Sequence, residues 1–336
     1  MEYPSFDKPK AGAIRFNTDS SQLEIYDGNQ WTGILSTSPE MQTGGTRGVF
    51  GGGSASDTLQ YINVATTGNA IDFGTDLTQT KYLASASSSR TRGCFNGGYT
   101  NTGGSAYTNH IEYITISSTG GGTTFGDLTQ LSAYNGSCSS STRGIRAGGT
   151  APANPSTTVI DYYIFTSTGN AVAFGDLTNG TAWISDGTVN SPTRGMWIGG
   201  GPGNSNIIEY ITMATTGNAA DFGDALLART DACGVCNAVR GIWGGGYNSG
   251  EKSMIDYVTL ASVGNALDFG DMTITSRRYA ACSSPTRGVW GGGHNPSASN
   301  VIDYITIQTE GNAQDFGDLV AANYEIAGLS NGHGGL

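Results

Sequence analysis

Residues 287–318 open with Arg287-Gly288-Val289-Trp290-Gly291-Gly292-Gly293 and continue, after eight residues, as Ile302-Asp303-Tyr304-Ile305-Thr306-Ile307. Gly311-Asn312-Ala313 and Asp315-Phe316-Gly317-Asp318 follow. No part of this stretch keeps a 3.6-residue apolar period, so it does not read as helix. Ile302–Ile307 is β-branched and aromatic, the composition of a strand. Its apolar groups fall on both faces, which suits a sheet covered on both sides. The Arg-Gly run reads as a strand before it, and the segment from Asn312-Ala313 through Phe316 as a strand after it. A fourth short strand of small residues is expected around Tyr279-Ala280-Ala281-Cys282. These four are called here the Arg-Gly, Tyr, Phe-Gly and small-residue strands. Gly-Asn supplies residues that accept positive φ, which predicts a tight hairpin between the Tyr and Phe-Gly strands.

The order recurs along the chain. Arg-Gly stands at Arg47, Arg92, Arg143, Arg194, Arg240 and Arg287, spaced by 45, 51, 51, 46 and 47 residues. Self-similarity at such a period signals a repeat architecture. Four strands taken six times predict an all-β fold, a six-bladed β-propeller over residues 41–336. Each copy begins inside a blade. The C-terminal strand near Tyr324–Leu329 should therefore close the ring beside Gly48–Gly52, leaving no free sheet edge.

Arg-Gly, an aromatic, Gly-Gly, acidic-Tyr and a late aromatic, in that order, resemble kelch-type propellers. The likeness runs from Arg47 to the C-terminus. It departs where kelch repeats carry a late Trp, here Phe125, Phe174, Phe222, Phe269 and Phe316. The wording Ile111-Glu112-Tyr113-Ile114-Thr115-Ile116, with Thr67-Gly68-Asn69-Ala70 and Asp315-Phe316-Gly317-Asp318, also resembles glycine-rich repeat proteins of tailed phages of marine cyanobacteria. That resemblance implies a non-enzymatic virion protein, a tail fibre or tip adhesin that presents the propeller to a host-surface glycan or protein. A trimer is expected by fibre analogy. The alternatives are a capsid decoration protein without a receptor role and a glycan-processing enzyme.

Residues 1–40 lie outside the repeat. Ala13-Ile14-Arg15-Phe16-Asn17, Leu23-Glu24-Ile25-Tyr26 and Trp31-Thr32-Gly33-Ile34 read as three short strands joined by Asp-rich turns. About 40 residues bury little core alone. The stretch resembles N-terminal β modules of phage fibre proteins, which implies attachment to other virion proteins or oligomerisation. Residues 36–42 read as the linker.

Composition excludes several classes. Fifty-three of 336 residues are glycine, yet no Gly-X-Y period exists, so collagen is out. With 27 acidic against 16 basic residues the formal charge is −11, and no basic stripe invites nucleic acid. No apolar run approaches the ~18–20 residues of a membrane span. Met1-Glu2-Tyr3-Pro4 lacks a basic and an apolar region, which predicts no secretory signal. Cys94, Cys138, Cys233, Cys236 and Cys282 are an odd set, and Cys233-Gly-Val-Cys236 has no second pair for zinc, so buried thiols are expected.

Catalysis needs an asymmetric constellation, and the residues offer none. Asp-Phe-Gly recurs without a glycine-rich loop and lysine, so it reads as structural. His110, His294 and His333 sit in no metal or nucleophile motif. No cofactor and no metal are expected. The six arginines, one per copy, also read as structural. Each is expected to bond a repeated acid: either Asp127, Asp176, Asp224, Asp271 and Asp318 after Phe-Gly, or Glu112, Asp161, Glu209, Asp256 and Asp303 before Tyr. Function is sought instead in the linkers between the Gly cluster and the Tyr strand, 5, 12, 10, 6, 8 and 8 residues long. They carry Tyr99, Asn101, Tyr107, His110, Asn154, Tyr247, Asn248, His294 and Asn295. Aromatic faces and amides suit sugar rings. Arg146 breaks the pattern, standing where the other copies have an aromatic.

Overall fold

Each Arg-Gly opens a strand, since arginine ends the preceding turn and glycine admits a neighbour's side chain. The strands are Arg47–Gly52, Arg92–Asn96, Arg143–Ala147, Arg194–Ile198, Arg240–Gly244 and Arg287–Gly291. At Gly195 a Cβ would lie 2.4 Å from the Cys138 sulfur, so a larger residue would not fit. The computed structural model describes residues 9–17, 22–33, 47–54, 56–100, 106–184 and 188–336. It divides into two units, Met1–Gln42 and Thr43–Leu336.

In the first unit Ile14–Asn17, Gln22–Tyr26 and Trp31–Gly33 form an antiparallel sheet. Arg15 stacks on Trp31 at 4.2 Å and pairs with Glu24 across the sheet at 2.7 Å. Ile14 and Phe16 remain largely exposed.

The second unit is all-β, made of antiparallel four-stranded sheets, an arrangement consistent with a propeller-like fold. Sheet 1 joins Ile326–Ser330, Arg47–Gly52, Leu59–Asn63 and Ile71–Asp72. The last strand of the chain thus pairs with the first of the unit, Ile326 opposite Gly52 and Ser330 opposite Gly48. Sheet 2 adds Ser85–Ser88, His110–Thr115 and Thr123–Asp127 to its Arg-Gly strand. Sheet 3 adds Gly136–Ser139, Thr157–Ile164 and Val172–Thr181. Sheet 4 adds Thr188–Asn190, Ser205–Thr212 and Ala220–Arg229. Sheet 5 adds Cys233–Cys236, Lys252–Thr259 and Leu267–Ser276, and sheet 6 Ala280–Ser283, Ser299–Thr306 and Gln314–Asn323.

The small-residue strands of consecutive sheets touch one another, sheet 6 touching sheet 1 included. Size explains their composition: a Cβ on Gly328 would meet the Ala281 carbonyl at 2.3 Å. They line a small, open cavity of about 50 Å³ whose lining includes Ser88, Ser139, Asn190 and His333. His333 Nε2 donates to the Ser88 carbonyl at 2.8 Å, while Nδ1 accepts from Asn190 at 3.0 Å and from the Gly335 N–H at 3.1 Å. This holds the imidazole neutral, and burial pulls its pKa down to about 4. Cys233 and Cys236 occupy one strand, three residues apart, so their thiols face opposite sides. The apolar core is split into clusters lying between neighbouring sheets, such as Phe269, Met272, Trp290 and Ile305 between sheets 5 and 6.

Two expectations are corrected. Gly-Asn does not close a tight hairpin. It pairs with the preceding sheet: Gly169 N–H donates to Phe125 O and Ala171 N–H to Asp127 O, both at 2.8 Å, and Asn170 Oδ1 accepts the Asp127 N–H at 3.0 Å. The same three bonds recur at Asn69, Asn218, Asn265 and Asn312. The Phe-Gly edge of one sheet is thereby covered by the turn of the next. Nor do the six arginines bond the repeated acids. Nη1 of Arg47, Arg92, Arg143, Arg194 and Arg240 donates to the carbonyl of Ile116, Phe165, Met213, Leu260 and Ile307, at 2.5–3.2 Å. Arg287 reaches Ala65 O at 2.9 Å. Each guanidinium also lies 4.4–4.9 Å over the Tyr of its own sheet. The carbonyl wins because it ends the adjacent sheet's Tyr strand and lies within reach of the arginine. Asp176 and Asp271 accept instead from Thr158 and Ser253 of their own sheets.

Candidate binding face

One to five residues ahead of each small-residue strand, a residue other than glycine adopts positive φ: Leu83, Tyr134, Trp183, Asp231, Arg278 and Glu325, at 53–60°. Backbone bonds link these segments in turn. Leu83 N–H donates to Glu325 O, Glu325 to Arg278 O, Arg278 to Asp231 O, Asp231 to Trp183 O, Ile184 to Tyr134 O, and Tyr134 to Leu83 O. The positive φ aims each carbonyl at the next sheet. One step outward, Tyr82, Ala133, Ala182, Thr230 and Arg277 form bridges to Tyr99, Thr150, Gly201, Tyr247 and His294. These partners follow the Gly-Gly pairs, so both sets lie at the same end of the sheets.

The side chains around this circuit are not alike. On sheet 2 Leu83 is accompanied by Tyr82 and Tyr99, and on sheets 3 and 4 the positive-φ residues are Tyr134 and Trp183. Tyr99 is buried between Tyr82 at 5.2 Å and Tyr107 at 4.6 Å, with Tyr134 edge-on at 6.2 Å. Tyr134 meets Trp183 edge-on at 6.3 Å. Tyr82, Tyr107, Tyr134 and Trp183 stay half-buried. Burial pushes Tyr134 up to about 12 and raises Tyr82 and Tyr99, so these phenols remain protonated and can donate. On sheets 5, 6 and 1 the circuit is ionic. Arg278 pairs with Glu325 and lies 3.4 Å from Asp231. Its guanidinium also stands 5.6 Å from the Tyr134 ring, joining the two arcs. Arg277 covers Tyr247 at 4.4 Å and lies 3.5 Å from Glu251.

Of the residues singled out by sequence, Tyr99, Tyr107, Tyr247 and His294 come to this face, His294 against Tyr324 at 4.9 Å. His110 does not. It begins a Tyr strand, engaged by Gln79 at 2.9 Å and Thr124 at 3.2 Å. Asn248 and Asn295 spend their amides on the Ala228 and Thr275 carbonyls at 2.7 Å, and Asn154 accepts the Ser156 N–H at 3.1 Å. Asn101 lies outside the described residues. Sequence reasoning missed Tyr82, Tyr134, Trp183, Arg278 and Glu325. Of these, Tyr134 and Arg278 share one signal, an offset: like Leu83 and Asp231, they stand nine residues before an Arg-Gly.

Arg146 is explained. It is fully buried, with Nη2 on Asp161 at 2.6 Å and Nη1 on Gly148 O at 3.1 Å. Among the described residues no group of His, Cys, Asp and Glu is placed to hold a metal ion, and no helix is long and apolar enough to cross a membrane. No protein-family model matches the chain, and no curated protein is significantly similar to it.

Proposed function

We propose that residues 43–336 form a closed six-bladed propeller of kelch-like type, and that the chain is a non-enzymatic virion protein, a tail fibre or tip adhesin of a tailed phage. The pairing of Ile326–Ser330 with Arg47–Gly52 and the backbone circuit from Leu83 to Glu325 support closure. The observation that carries the adhesin reading is the asymmetry of the face. Half-buried tyrosines and Trp183 on one arc offer apolar ring faces with phenol hydroxyls, and the Asp231–Arg278–Glu325 arc offers charge beside them. A sugar stacks its apolar face on such rings and bonds its hydroxyls to the polar groups. Residues 1–40 attach the chain to the particle, with exposed Ile14 and Phe16 as apolar contacts.

Soluble full-length chain should compete with the parent phage for adsorption to host cells. Tyr107→Ala and Trp183→Ala should each weaken that competition at least tenfold while leaving the melting temperature within a few degrees. Competition unaffected by both changes, or a particle image placing the chain on the capsid, would overturn the adhesin reading.

A further inference from the structure

At the junctions between sheets an acid of one Tyr strand reaches back to the Phe-Gly strand before it, and a buried cation usually balances it. Asp256 accepts the Leu226 N–H at 3.2 Å and is gripped by Arg229 through both oxygens, Nη1 to Oδ2 at 3.1 Å. Both side chains are fully buried. Asp161 has Arg146. Glu112, bonded by Thr78 through Oε1 alone and with Oε2 also unbonded, has the charge of the buried Lys81 near it, whose ammonium donates to the Gly97 and His110 carbonyls and whose pKa burial draws down to about 8 against the pull of Glu112. Between sheets 6 and 1 the acid is replaced by neutral Gln60, which accepts the Val320 N–H at 2.9 Å. At the junction of sheets 5 and 6, Asp303 has no cation, but Thr273 fills both its oxygens.

Glu209, between sheets 3 and 4, has neither remedy. Thr178 donates its N–H, at 2.9 Å, and its hydroxyl to Oε1 alone. Among the described residues nothing bonds Oε2. The position that matches Arg229 is Thr181. The two share a register, Thr181 opposite Thr157 and Arg229 opposite Ser205. Each packs against the second glycine of the next sheet's pair: Thr181 Cγ2 would lie 2.4 Å from a Cβ on Gly200, and Arg229 Cδ 3.1 Å from one on Gly246. In place of the guanidinium is an open cleft of about 660 Å³, lined by Glu209, Thr181, Asn179, Thr158, Trp197 and Ile207. Its size is that of a small-molecule site.

We propose that this cleft binds an alkylguanidinium cation, held on Glu209 as Arg229 is held on Asp256. The planar fork fits a carboxylate with a free oxygen, and the alkyl chain lies along Ile207 and the Trp197 ring. Burial raises the Glu209 pKa, the direction of a carboxylate that lacks its counter-charge. The acidic chain as a whole draws cations toward the cleft. The guanidinium comes either from a free small molecule or from an arginine side chain of another polypeptide.

Two probes separate these sources: agmatine, and the tripeptide Gly-Arg-Gly with blocked ends, each titrated into the full-length chain by calorimetry at pH 8. Agmatine should bind one to one and shift the Trp197 indole resonance. Binding of agmatine alone assigns the cleft to small molecules, and comparable binding of the tripeptide assigns it to arginine side chains. Glu209→Gln should weaken agmatine at least tenfold. Thr181→Arg, which builds the guanidinium into the chain, should abolish agmatine binding and raise the melting temperature. Absence of saturable binding, or wild-type affinity in Thr181→Arg, would overturn the proposal even if Glu209→Gln failed to fold.

Discussion

Arg194 shows how one side chain joins two sheets. Its guanidinium stacks on Tyr210 at 4.8 Å and donates to Leu260 O of the next sheet at 2.9 Å. Tyr210 in turn meets Phe222 edge-on at 5.8 Å, and the same arginine–tyrosine–phenylalanine column stands in every sheet. Arg194→Ala should cost about 1–2 kcal/mol, from one charged hydrogen bond and one cation–π contact, both partly exposed. Asp224→Ala should cost less than about 0.5 kcal/mol, as surface changes do. Urea denaturation of the two variants decides between a carbonyl and a carboxylate as the arginine's partner. The periodic arginine was legible in the sequence, and its partner was not. An acid at a constant offset is visible to the eye, whereas a backbone carbonyl of the next copy carries no residue letter. The positive-φ position was hidden for a similar reason. Leu83, Tyr134, Trp183, Asp231, Arg278 and Glu325 share a backbone conformation and no chemistry, and residues other than glycine seldom adopt it.

The Gly-Asn-Ala turn is an element that works on its neighbour. Gly217 and Ala219 donate to Phe174 O and Asp176 O of sheet 3, at 2.9 and 2.8 Å, and Asn218 accepts the Asp176 N–H at 3.1 Å. The approach is so close that a Cβ on Gly175 would lie 2.2 Å from Gly217 O. Gly175→Ala should therefore cost about 2–3 kcal/mol, the upper range for overpacking, while Asn218→Ala loses one hydrogen bond and about 1 kcal/mol. Thermal melts of both variants should rank them in that order, and equal losses would argue against the steric reading. The expectation of a tight hairpin failed because Gly-Asn is ambiguous in a single sequence: the dipeptide that turns a chain can also let two backbones meet. One junction departs from the rule on both sides at once. Thr75 is inserted after Phe73-Gly74, and Gly120-Gly121-Gly122 replaces Asn in the following turn. Gly122 N–H then donates to Asp76 O at 3.0 Å, a shifted version of the same bond. Insertion and glycine run compensate each other.

At the scale of the whole unit, the inner cavity ties distant parts of the chain to one imidazole. His333 is neutral when folded, with a pKa of about 4, against about 6.5 in an unfolded chain. Between those values the unfolded state binds a proton that the folded state does not. Stability is therefore unaffected above pH 6.5 and falls as the pH drops toward about 4, by up to about 3 kcal/mol. His333→Gln should flatten that part of the pH dependence in chemical denaturation, and an unchanged slope would place the sensitivity elsewhere. The sheets, their order and the returning last strand were legible because each rests on a repeated word. The face was less so, since the binding proposed for it depends on what differs between copies. The return of the last strand also has a mechanical meaning. Arg47–Gly52 is the first described strand of the second unit, and it is bonded along both edges, to Leu59–Asn63 and to Ile326–Ser330. Such a strand has to be sheared from two neighbours together and cannot be unzipped from one. If the chain is tethered by its N-terminal unit and pulled by whatever its face holds, the joint under tension is fastened by residues nearly three hundred positions apart in the sequence.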